Sequence, residues 1–316
     1  MNKNKSLKVY INKVNEDWII DRVRKEWVSN NNPYSKYFSS CNVVWLIAPW
    51  VWKEKSYKKL LNKKVICSIY HIDEDKFSND DLINFENRDK YVDAYHVISQ
   101  NTQKQVKKLT NKKIYSIPFW INEDLWFPID SKNELRKKYN IDPNSYLIGS
   151  FQRDTEGADL ISPKLSKGPD RFLKIVSKIK EKNENLHILL AGKRRQYLIS
   201  ELKKHQINFT YYEMPPINEL NELYNCLDLY IVSSRYEGGP QAIFECALTK
   251  TPIISTNVGV APEVLSPTSI YDMSNFSSAR ADINYAFLNA QKYTIPNGFE
   301  NFIQMFNEVL EDLNEK

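Results

Sequence analysis

Residues 229–265, LYIVSSRYEGGPQAIFECALTKTPIISTNVGVAPEVL, constrain this chain more than any other stretch. An apolar run of strand type passes into a loop carrying Glu237, Gly238 and Gly239. Pro240 and Gln241 then open a short apolar helix holding Glu245, and a second apolar run follows at 252–255. Apolar runs separated by a helix predict parallel strands covered on both faces. Proline at the first helical position loses nothing, because its missing N–H would find no partner within the helix. Glycines before a helix leave backbone N–H groups open, where the positive end of the helix dipole draws phosphate. The expectation is a phosphate cradle flanked by two carboxylates that accept hydrogen bonds from hydroxyls. A sugar nucleotide offers both groups.

The rest of the chain sets bounds. At 316 residues, 42% of them hydrophobic, it can bury two ordinary cores, and its length predicts two domains. It contains no apolar run of about eighteen residues, so no membrane-spanning helix is expected. The lysine-rich start leads into a strand-like run with no signal-peptide core, and the 4 cysteines form no CxxC pair. A reduced, cytoplasmic protein is expected.

Residues 1–130 carry 22 Lys and Arg against 16 Asp and Glu, a surplus larger than the +5 of the whole chain. All 7 tryptophans fall in this part: Trp18, Trp27, Trp45, Trp50, Trp52, Trp120 and Trp126. Trp50 and Trp52, followed by Lys53, Lys55, Lys58 and Lys59, suit an anionic membrane surface. Tryptophans packed in a core beneath a solvated lysine face are the competing reading. The basic surplus is small and no nucleic-acid motif accompanies it, so no nucleic-acid partner is expected.

Strands and helices alternate throughout. Strands are predicted at 8–11, 43–48, 65–70, 94–99 and 114–118, with helices at 17–28, 54–61 and 101–109. The polar segment after Trp126 reads as a crossover. Beyond it, strands fall at 147–151, 186–191, 209–212, 229–232 and 252–255, with helices at 170–180, 196–205, 218–226, 241–248, 279–291 and 299–310. Sheets of this type bind ligands at the carboxyl ends of their strands.

Glu237, Glu245, the strand at 252–255, the loop Asn257-Val258-Gly259 and Glu263 follow one another as in a known signature. That signature is Glu, seven residues, Glu, a strand, a Gly-containing loop and a third Glu. In it the chain resembles the family 4 (group 1) retaining glycosyltransferases. The resemblance implies the GT-B fold, an α/β architecture of two Rossmann-like parallel-sheet domains facing a cleft. It assigns 1–126 to a short acceptor-side domain, 127–298 to nucleotide-sugar binding, and 299–316 to a helix crossing back to the first domain.

The resemblance also implies roles. Glu237 lies near the donor sugar and Glu245 holds the ribose. Arg153 and Lys167, before Gly168, clamp the diphosphate, although residues 155–166 intervene where the family has a few residues, and Lys164 competes with Lys167. His71, ending the apolar run KVICSIYH, matches a family histidine beside the donor sugar; a half-buried histidine with a backbone partner is its other reading. Gly238, Gly239, Pro240 and Gln241 form the donor-binding turn. The base is expected beyond the strands ending near Gly192 and Met214, within reach of Lys193, Arg194 and Arg195. Asp73, Glu74 and Asp75 read as solvated loop acids, and neither metal nor other cofactor is expected. The first strand lacks the family's Gly-Gly turn, with Trp18 nearby instead.

The implied activity is transfer of a hexose from a UDP- or GDP-sugar to a glycan or polyprenyl-linked acceptor, in surface polysaccharide or lipopolysaccharide synthesis. The setting is cytoplasmic, with the inner face of the membrane as a candidate surface. A catalytically silent sugar-nucleotide-binding subunit and a GT-B sugar-nucleotide epimerase are the alternatives.

Overall fold

Two parallel sheets carry the chain, one in each of two units: Met1–Trp120 with Ile295–Lys316, and Ile121–Thr294. The computed structural model describes residues 6–14, 19–51, 59–60 and 62–311. The units divide at 120/121 and 294/295, several residues before the boundaries expected from sequence. Hydrogen bonding explains the placement. Ile121 N–H donates to Tyr293 O at 2.9 Å and Ile121 bridges Thr294, while buried Trp126 packs edge-on against Tyr224 of the second unit.

In the first unit, β1 (Val9–Ile11), β2 (Val43–Leu46), β3 (Lys64–Ile69), β4 (Ala94–Val97) and β5 (Lys113–Ser116) pair in sequence order. Val9 also bridges Ser35, so α1 (Ile19–Asn30) carries the chain to the side of β1 away from β2. The winding direction therefore reverses at β1, and helices cover both faces. Val43 and Trp45 share a core with α1 and α11 (Glu300–Glu311). Val44 and Leu46 point to the opposite core, with α2 (Asn79–Asp89) and α3 (Gln100–Val106).

Core packing accounts for most of the described tryptophans. Trp27, Trp45 and Trp120 are buried and meet Phe299, Phe302 and Phe306 at ring-centroid distances of 4.6–6.5 Å. Trp50 remains 53% exposed. Trp18, Trp52, Lys53, Lys55, Lys58 and most of the helix expected at 54–61 lie outside the described residues.

One polar chain runs through this core. Trp45 Nε1–H donates to Ser68 Oγ, the Ser68 hydroxyl to His96 Nδ1, and His96 Nε2–H to Ile117 O, each at 2.8 Å. The order fixes the neutral Nε2–H tautomer. Burial pushes the His96 imidazole down to about 4.

In the second unit, α4 (Lys132–Lys138) leads into β6 (Tyr146–Ser150), α5 (Pro169–Lys180), β7 (Leu186–Ala191), α6 (Gln196–Lys204), β8 (Asn208–Tyr212) and α7 (Ile217–Cys226). Then come β9 (Leu229–Val232), α8 (Gln241–Leu248), β10 (Ile253–Thr256), α9 (Ala261–Val264), β11 (Ile270–Tyr271) and α10 (Ile283–Ala290). The sheet order is β11-β10-β9-β6-β7-β8. Strands are added first on one side of β6 and then on the other. Helices α5 and α6 cover one face, and α4, α7, α8, α9 and α10 the other. The reversal between β6 and β9 opens a crevice at their carboxyl ends, the usual place for a ligand in such sheets.

Candidate active site

Glu237 lies five residues beyond β9, and Arg153 three beyond β6. Lys167 ends a 3₁₀ turn, Leu165–Lys167, just before α5. Its ammonium meets Glu237 Oε1 at 2.5 Å, with the two side chains 22% and 9% exposed. The Ser234 hydroxyl lies 3.2 Å from the same carboxylate oxygen, and Gln152 Nε2–H donates to Lys167 O at 2.9 Å.

This pairing depends on how the loops are fastened. Arg235 and Tyr236 donate their N–H groups to Ser166 O at 2.8 and 3.1 Å. The Arg235 guanidinium grips both carboxylate oxygens of Asp170, at the start of α5, at 2.7 Å each. That bidentate bond holds the Asp170 carboxyl below the usual carboxylate range. Gly168 has φ +63, and a Cβ there would stand 1.9 Å from Ser233 O, so only glycine allows the Lys167 turn to lie against the β9 loop. Gly259 has φ +49, with Gly238 O only 2.3 Å from where its Cβ would be. The glycine after β10 thus brings its loop against the acidic one.

Asp154 and Arg195 form a fully buried ion pair at 2.6 Å. Arg195 also donates to Ser150 O at 2.6 Å and Ala191 O at 2.9 Å, tying the ends of β6 and β7 together. Thr155 Oγ1 accepts from Tyr197 N–H at 2.9 Å, satisfying a first-turn donor of α6 from a distant loop. Arg195 is therefore structural, a correction to its expected place at the base or phosphate.

Glu245 is the fifth residue of α8 and is buried. The Tyr224 hydroxyl donates to Glu245 Oε2 at 2.7 Å, and burial, then the Glu245 charge, pushes that phenol well up. Pro240 occupies the N-cap, one position earlier than expected, and gives the helix no side-chain acceptor; Gln241 is its first residue. Gly238 and Gly239 lie in the acidic loop just before it. Gly192, with φ +92, and Met214 follow β7 and β8 at the same end of the sheet as Arg153 and Glu237. Glu263 is half-buried in α9. His71 belongs to the first unit, exposed and two residues past β3.

Cations dominate the crevice. Burial, then Lys167 and Arg153, lower the half-buried Lys164 ammonium. Burial, then Arg194, lowers the Arg153 guanidinium. Arg153 Nε–H donates to Thr155 O at 2.9 Å. Sequence reasoning missed Gln152, Arg235 and Tyr224, whose partners lie 15, 65 and 21 residues away, and Ser234, which meets Glu237 three residues on in the same loop. Among the described residues, no group of three or more His, Cys, Asp or Glu is placed to hold a metal ion, and no helix is long and apolar enough to cross a membrane.

An α/β chain of two parallel-sheet units, with paired acid and base at the second sheet's switch point, has the GT-B architecture of glycosyltransferases. Residues 131–294 match the family model of the glycosyl transferases group 1, and the chain belongs to that family. Among solved structures it is similar to HepE of Anabaena, in complex with UDP and glucose, with a TM-score of 0.68 and 11% identity over 99% of this chain and 100% of that one. Sucrose-phosphate synthase of Thermosynechococcus elongatus gives 0.63 and 14% over 96% and 79%. A glycosyltransferase of Rickettsia africae gives 0.60 and 17% over 95% and 84%. A comparison with curated protein sequences finds no match.

Proposed function

We propose that this chain is a retaining hexosyltransferase of the family 4 type, taking a sugar from a nucleotide-sugar donor to a glycan or lipid-linked acceptor. The carrying observation is the Lys167–Glu237 pair at the β6–β9 switch point, with Arg153 and Lys164 beside it. Cleaving a sugar–phosphate bond leaves a nucleoside diphosphate with added negative charge. Arg153 and Lys167 meet that charge, Arg as a planar fork and Lys as a point charge, and such preorganised electrostatics contribute the largest share of many enzymes' rate enhancement. Charge on the leaving group is balanced on this reading by side chains rather than by a resident metal.

Glu237 contacts the donor sugar and exchanges Lys167 for a sugar hydroxyl when Lys167 turns to phosphate. Glu245, oriented by Tyr224, accepts the ribose hydroxyls. The turn 238–241 completes the donor site, with the base beyond Gly192 and Met214. HepE, whose structures are complexes with UDP and UDP-glucose, supports a UDP-sugar as the first donor to test, with GDP-sugars second. Exposed Trp50 supports contact with a membrane surface, on this reading the cytoplasmic face where lipid-linked acceptors of surface polysaccharide or lipopolysaccharide lie.

Calorimetry with UDP, GDP and ADP tests this reading on wild type and on Glu245→Gln. One nucleotide should bind the wild type and bind the variant at least about tenfold more weakly, the loss of a hydrogen bond to a charged group. Binding of none, or equal binding by the variant, would remove the donor site from this crevice.

A further inference from the structure

The chain between Arg153 and Lys167 is longer than the family signature allows, and the added residues form a hairpin. Lys164 N–H donates to Asp154 O at 2.8 Å, Thr155 bridges Pro163 antiparallel, and Glu156 N–H donates to Ser162 O at 2.9 Å. The base of the hairpin is anchored from beneath by the buried Asp154–Arg195 pair. At its return, Lys167 N–H donates to Lys164 O at 2.8 Å, closing the turn that presents Lys167 to Glu237. Arg153, Lys164 and Lys167 therefore leave the backbone at three points joined by hydrogen bonds.

Lys164 stands out among them. Lys167 has Glu237, and Arg153 has a backbone carbonyl. The Lys164 ammonium is half-buried and makes no hydrogen bond or ion pair with any described residue. Lys167 and Arg153 repel it, while Glu156 and Glu237 oppose that repulsion more weakly, and Arg194 adds a further cation against Arg153. Four cationic side chains thus face two carboxylates. A partly buried ammonium without a partner is costly, and like charges gathered in one crevice disfavour the empty state. An anion reverses both effects. A solvated surface lysine would show neither the burial nor the crowding.

We propose that Lys164 is a third diphosphate-contacting residue, brought beside Arg153 and Lys167 by the inserted hairpin, and that it sets a preference for diphosphate over monophosphate. The inference rests on the donor-site reading above and adds to it: Lys164 supplements Lys167 instead of replacing it. One phosphate group can be satisfied by Arg153 and Lys167, and the third cation gains its full effect only from a second phosphate.

Lys164→Met keeps the aliphatic stem and removes the charge, Lys164→Arg keeps the charge, and Lys174→Ala removes an exposed lysine on α5 as a control. Binding of UDP, UMP, GDP, GMP and inorganic pyrophosphate is measured by calorimetry on each. Lys164→Met should weaken the bound nucleoside diphosphate and pyrophosphate by about 10- to 100-fold, the loss of a charge-assisted bond, and the monophosphate by less than about threefold. Lys164→Arg should recover most of the loss, and Lys174→Ala should change nothing. Without ligand, the melting temperature of Lys164→Met should equal or exceed that of wild type, because repulsion is relieved; a packing role would lower it.

An unchanged ratio of diphosphate to monophosphate affinity in Lys164→Met, with wild type still binding a nucleoside diphosphate, overturns this inference and leaves the donor site standing. Pyrophosphate binding that depends on Lys164, with no nucleotide bound by wild type, keeps the three-cation site and removes the nucleotide reading. Binding of none of the five probes removes both.

Discussion

The carboxyl ends of the two sheets treat their polar groups in opposite ways. At the β1–β2 edge of the first unit, the buried Asn12 amide donates to Ala48 O at 2.8 Å and accepts from Ala48 N–H at 3.1 Å. A reciprocal pair clasps the two loops, and each group satisfies the other. At the β6–β9 edge of the second unit the loops are fastened as firmly, by Arg235, Asp154 and Arg195. There, however, Lys164 and Arg153 stay without a carboxylate within ion-pair distance among the described residues, and Lys167 shares its carboxylate with a serine. Rigid loops are common to both edges. Charge left uncompensated on a rigid frame distinguishes the second, and charges in that condition mark functional sites.

The sharpest way to break this contrast is from underneath. Asp154→Ala leaves the Arg195 guanidinium buried and alone, and should cost the second unit about 3–5 kcal/mol, read by urea unfolding. A loss below about 1 kcal/mol would mean that the hairpin does not depend on this pair. Next come the half-buried members of the crevice. Lys167→Ala and Glu237→Ala should each lower transfer by about 10²- to 10³-fold with circular dichroism unchanged, if, as proposed, they meet charge that develops in the reaction. Full activity in either would exclude that residue from the site.

The polar chain of the first unit gives a pH test. Folded His96 binds its proton only near pH 4, against about 6.5 when unfolded, so the unfolded state holds more protons between those values. Its contribution is complete above pH 6.5 and is lost as pH falls toward 4, by roughly 3 kcal/mol. Unfolding free energies at pH 7 and 4.5 should differ more in wild type than in His96→Gln; equal differences would discard the buried neutral imidazole. The smallest effect is expected at the satisfied edge. Asn12→Ala should cost about 1–3 kcal/mol and leave nucleotide binding unchanged, and weakened nucleotide binding would erase the contrast between the two edges.

The second unit was the more legible half in the sequence. Its strands are buried on both faces and read as apolar runs, and β7, β9 and α8 fall at the residues their patterns predicted. Glu237 and Glu245 were visible because one loop and one helix carry them both. The polar α2 was missed. Its capping box pairs Ser78 with Asp81, a shorter acid than the Glu or Gln that usually marks such a start. Helix α4 hides inside the polar segment after Trp126, where Leu135 is its one buried apolar residue. In the site, Arg235 grips Asp170 across 65 residues and Tyr224 grips Glu245 across 21, so neither partner can be named before the sheet order is known. The rivalry between Lys164 and Lys167 could not be settled from spacing, because a 3₁₀ turn presents both.

The bridge between Ile121 and Thr294 has a consequence for synthesis. The second unit begins and ends at hydrogen-bonded neighbours, so it is spliced into the first as a closed loop of chain. On a ribosome adding about 5–20 residues per second, residues 121–294 take on the order of ten to thirty seconds to emerge. Throughout that interval Trp27 and Trp45 lack Phe302 and Phe306, which come only afterwards. The sheet translated first is the last to be closed, and a nascent chain holds an open aromatic face that chaperones can meet before the enzyme is whole.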